Sequence, residues 1–93
     1  MGLLDKILGN DVSTSLQTAV SADLYVTLRR LASRMKSELA GKSKAKKDEV
    51  KRRYSLAAAT EMEDIRVKFG LTGGQLLKLA RCPMEEFTEA AKD

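Results

Sequence analysis

The side chains best placed to do chemistry in this 93-residue chain are cations. From Arg29 to Arg53 stand eleven basic residues against three acids, a balance of +8, while the rest of the chain carries −4. Phosphate is the natural ligand of such a block. Arg29, Arg30, Arg34, Arg52 and Arg53 can each grip a phosphate through paired N–H groups. Lys42, Lys44, Lys46, Lys47 and Lys51 add point charges, and every phosphate neutralised releases a condensed counterion. These ten residues are the predicted nucleic-acid contacts, with DNA ranked ahead of RNA. The block has no aromatic interleaving beyond Tyr54, which directly follows Arg53, and this argues against a base-stacking platform. The competing reading of the same charges is a non-catalytic interaction module, an adaptor, assembly factor or inhibitor docked on an acidic protein surface. An anionic membrane surface and a merely solvated face are the remaining readings.

Catalysis is not expected. The chain has no His, which removes the usual general base near neutral pH, His-containing zinc sites and Ser-His or Cys-His nucleophiles. Cys82 stands between Arg81 and Pro83 at an expected helix start, but a thiol nucleophile still needs a base and an oxyanion site. The acids Glu61, Glu63, Asp64 and Glu85, Glu86, Glu89 form two clusters without a partner motif, and no P-loop, dinucleotide fingerprint or CxxC occurs. No cofactor and no metal are predicted. A single cysteine fits a reducing compartment, so a cytoplasmic location is expected. The first residues break their apolar run with Asp5 and Lys6, unlike a signal peptide, and no run approaches the roughly 20 residues of a membrane span.

The elements that must position the cations are helices. Leu3, Leu4, Ile7 and Leu8 suggest a short amphipathic segment over 1–10. Leu24, Leu28, Leu31 and Met35 step by four, three and four, with Leu39 following. That stripe predicts a helix from about 15 to 40, opened by Thr14 with Gln17 in capping-box form, with a break near Ser21-Ala22-Asp23, and closed by Gly41. A basic loop over 41–47 follows. A second helix over 46–69 carries Val50, Tyr54, Ala57 or Ala58, Met62, Ile65 and Phe69 on one face, and Gly70 with Leu71 ends it. Two short helices complete the chain, one after Thr72-Gly73-Gly74-Gln75 and one opened by Pro83.

The stretch from Ile65 to Ala80 resembles a helix-turn-helix unit, with Gly70 at the turn, Leu71 as the buried turn residue and Leu76 and Leu79 facing inward. The resemblance implies a second helix that reads DNA through Thr72, Gln75 and Lys78. The whole is predicted as one all-α domain over 1–93: a long antiparallel helical hairpin with two short C-terminal helices. A core this thin is expected to be completed as a bundle by self-association, as a homodimer.

Overall fold

In the computed structural model, residues 13–92 are described, and they form three α-helices: α1 (Thr14–Leu39), α2 (Lys44–Phe69) and α3 (Gly73–Ala90). No strand occurs among the described residues. The amphipathic segment expected over 1–10 lies outside them.

Helix α1 is the spine. It packs along both α2 and α3, which touch each other far less. Its buried residues Val20, Leu24, Leu28, Leu31, Met35 and Leu39 recur every three or four positions, which keeps them on one face of a helix. The direction of each neighbour is fixed by cross-helix bonds. Asp23 meets Lys68 and Glu38 meets Arg53, so α2 runs antiparallel to α1. Arg29 meets Glu86, and Ala90 reaches the level of Leu39, so α3 runs parallel to α1.

The core divides along the bundle. At the hairpin end Leu28, Leu31, Met35 and Leu39 pack with Val50, Ala58 and Phe87. At the other end Val20 and Leu24 pack with Ile65, Leu71, Leu76 and Ala80. Met62 and Met84 touch both groups, and their flexible thioether chains suit the join.

Several local expectations change, each for a physical reason. Helix α1 shows no break at 21–23, because Val20 and Leu24 are both fully buried in the same cluster and only continuous helix holds them there. Ser13, not Thr14, is its N-cap, accepting from the Leu16 N–H at 3.2 Å. The loop is shorter than predicted. Ser43 caps α2, so Lys44, Ala45, Lys46 and Lys47 form its first turn instead of a loop. The two short C-terminal helices are one helix that runs through Pro83. Proline inside a helix costs about 3 kcal/mol relative to Ala. Here Leu76, Ala80, Pro83 and Phe87 form a single buried stripe against α1, and burial of the stripe offsets that cost.

The corner between α2 and α3 follows the sequence closely. Gly70 adopts a left-handed conformation at φ 67°, and the Leu71 N–H donates to the Arg66 carbonyl at 2.9 Å. The Gly70 N–H donates to the Val67 carbonyl at 3.2 Å, and Leu71 is buried, completing the C-terminal cap.

Candidate nucleic-acid interface

The hairpin places the ten predicted contacts in three layers rather than one patch. Lys42, Lys44, Lys46 and Lys47 sit at the tip, where α1 ends and α2 begins. Arg34, Lys51, Arg52 and Arg53 lie below them on facing stretches of α1 and α2, and Arg29 and Arg30 lie lower still. At 1.5 Å per residue, Arg30 is about 15 Å from the end of α1.

The side chains differ in what already holds them. Arg29 is committed to α3: its Nε and Nη2 donate to the two carboxylate oxygens of Glu86, each at 2.8 Å. Its guanidinium also stacks on the Tyr25 ring, 4.6 Å from the centroid. The hydrogen bonds from Arg29, and then its charge, hold the Glu86 carboxyl below the usual carboxylate range. Arg53 is committed to α1, donating to Glu38 at 2.8 Å. Glu38 also accepts from the Tyr54 hydroxyl. The Tyr54 bond first, and Arg53 second, hold the Glu38 carboxyl below its ordinary value, and the same bond raises the Tyr54 phenol. Lys42 donates to the Glu38 backbone carbonyl at 2.8 Å and so serves the C-terminal end of α1.

The remaining predicted cations are differently placed. Arg30 and Arg34 share a strip of α1 with Asp23 and Glu38, which follow one another at helical spacing of seven, four and four. Both ends of that strip bond to α2, so Arg30 and Arg34 lie exposed on the α1–α2 flank. Neither forms an ion pair with an acid among the described residues. Lys44 and Lys46 stand exposed in the first turn of α2, which contains no acid. Arg52 projects from the outer side of α2, away from both neighbouring helices.

Tertiary structure adds Lys36 and Lys92, which the predicted contact set does not include. With the predicted Lys47 they line one shallow groove at the tip, beside Leu39, Ala40, Gly41 and Ala90. Lys92 is remote in sequence and arrives only because α3 runs parallel to α1. The same arrangement brings Glu85, Glu86 and Glu89 alongside the basic end of α1, so the +8 block is partly neutralised on its α3 side.

The helix-turn-helix residues serve the corner. The Thr72 hydroxyl accepts from the Gln75 N–H at 3.1 Å, and the Gln75 carboxamide accepts from the Thr72 N–H at 2.9 Å. Both side chains are thus used in a capping box, and α3 folds back along α1 instead of lying across α2. Cys82 is exposed and lies within α3, not at a helix start as the sequence suggested. No group of three or more potential metal ligands forms among the described residues, and none of their helices is long and apolar enough to cross a membrane. Compared with protein-family models, curated proteins and solved structures, the chain has no significant match in any of the three.

Proposed function

We propose that this protein is a small nucleic-acid-binding or regulatory accessory protein, with no catalytic role, that contacts backbone phosphates through the α1–α2 end. The observation that carries the reading is the first turn of α2. The N-terminal end of a helix bears about half a positive charge, so acids there stabilise and cations destabilise. Helix α2 opens with Lys44, Lys46 and Lys47 and no acid. An arrangement that works against the helix concentrates positive potential at one exposed point, which is what a polyanion recognises. Arg30 and Arg34 extend that potential along the flank. Self-association belongs to the same reading, because it would double the sites and cover apolar surface that three helices leave exposed. We place the protein in the cytoplasm.

Fluorescence anisotropy with a random DNA duplex and a single-stranded RNA, across a range of salt, tests this. The expected result is binding with a steep log–log salt slope, which Lys44→Glu with Lys46→Glu flattens by about one per lysine while weakening affinity at least about tenfold. Lys78→Glu, which reverses a charge on exposed α3, leaves the slope unchanged. Absence of binding to both nucleic acids at low salt overturns the proposal and directs the search to an acidic protein surface.

A further inference from the structure

Helix α2 faces its neighbours with Val50, Ala58 and Ile65. Its opposite side carries Arg52, Leu56, Ala59, Glu63 and Val67, spaced by four, three, four and four, and every one of them is exposed. Leu56 is 70% exposed and Val67 64%. The stripe therefore has helical continuity, and nothing among the described residues covers it.

We propose that this face of α2 packs against the same face of a second copy of this chain, antiparallel, about a two-fold axis at the level of Ala57 and Ala58. The inference rests on the self-association part of the reading above and not on phosphate contact. Charge decides both the occupant and the direction. In the antiparallel register Arg52 faces Glu63 of the partner subunit, and Leu56 faces the partner's Ala59. Asp48 then comes beside Arg66 of the partner subunit. Arg52 and Asp48 have no ion pair within their own chain among the described residues. Glu63 and Arg66 are bonded to each other at 2.9 Å, and the half-buried Arg66 also donates to the Leu71 carbonyl at 3.0 Å; Glu63 is exposed and can turn to Arg52 of the partner subunit at little cost, while Arg66 keeps its Leu71 bond. A parallel pairing would set Arg52 against Arg52 and Glu63 against Glu63, two like-charge clashes. The axis falls near the middle of α2, so nearly the whole helix, about 39 Å, enters the seam.

Two consequences follow. Arg52 is withdrawn from the phosphate-facing set. The two tips lie at opposite ends of the seam, with Lys44 of one chain level with Leu71 of the other, about 40 Å apart along the helix axis.

Sedimentation equilibrium of the full chain without nucleic acid, over a range of concentrations and two ionic strengths, tests the interface. A monomer–dimer equilibrium that weakens with salt is expected. Arg52→Glu and Glu63→Arg each weaken it at least about tenfold. The combined charge swap restores it, and Leu56→Asp abolishes it while the circular dichroism stays helical. A chain that is monomeric throughout overturns both this surface and the wider self-association reading. A dimer indifferent to Leu56→Asp, or one that the double swap does not restore, overturns this surface alone. Phosphate contact at the tip is tested separately by anisotropy and fails or stands independently.

Discussion

Glu38 is the residue on which the hairpin end converges: it accepts from Tyr54 and Arg53 of α2, and its own carbonyl accepts from Lys42. Its folded-state carboxyl titrates below the unfolded value of about 4.3. The stability it contributes is therefore present above that value and lost as pH falls through the lower folded one. Glu38→Ala should lower the melting temperature at neutral pH, and the difference from the parent should vanish in strong acid, as thermal melts across pH would show. Tyr54 is shifted the other way, so its contribution is complete below about pH 10 and lost as pH rises through its raised folded value. A second contrast concerns binding. Arg29 is held by Glu86 and Tyr25, whereas Arg30 has no acid partner among the described residues. Arg30→Ala should reduce the salt slope by about one, Arg29→Ala by less, and Glu86→Gln should tighten phosphate binding by freeing Arg29.

At the scale of the element, the α2–α3 corner separates two glycines with opposite roles. Gly70 needs its left-handed backbone to close the cap on Arg66 and Val67, and nothing lies within 4 Å of an added Cβ. Gly70→Ala should therefore destabilise by about 1–2 kcal/mol through backbone strain alone. Gly74 sits in the first turn of α3 with ordinary backbone and only the Thr72 hydroxyl 4.0 Å from an added Cβ. Gly74→Ala should stabilise by about 0.5–1 kcal/mol by restricting the unfolded chain. Pro83→Ala restores a donor to the Leu79 carbonyl but gives up ring contacts in the core stripe. Helix propensity favours Ala by about 3 kcal/mol, and the lost burial removes about half of it, so a net gain of about 1.5 kcal/mol is expected. Denaturant unfolding of the three variants checks all these signs.

For the whole molecule, the arrangement around α1 redistributes charge. Because α3 runs parallel to α1, its acids line one side of the basic end and leave the α1–α2 flank and tip as the positive surface. If two such tips lie about 40 Å apart in an α2-paired dimer, one duplex must span both. A DNA duplex rises about 34 Å per turn, so affinity should increase sharply once its length passes about 12 base pairs. Anisotropy with a series of duplex lengths measures this, and Leu56→Asp should remove the length dependence while leaving the weaker single-tip binding.

Local spacing was enough to place the two long helices and the α2–α3 corner. The stripe from Leu24 to Leu39, the turn at Gly41, the cap at Gly70 with Leu71 and the capping box at Thr72 and Gln75 are local, set by spacing within a few residues and by backbone hydrogen bonding. The basic block was equally legible, since charge needs only counting. Three matters were left to tertiary structure. Pro83 reads locally as a helix start, and only the shared burial of Leu76, Ala80, Pro83 and Phe87 against α1 makes it interior. The first turn of α2 reads as a polar loop until Ser43 is seen to cap it. Which cations remain without an acid was decided by partners 15 and 57 residues away, Glu38 for Arg53 and Glu86 for Arg29. Periodicity places a side chain on a face, but the partner across that face is chosen by how whole helices pack.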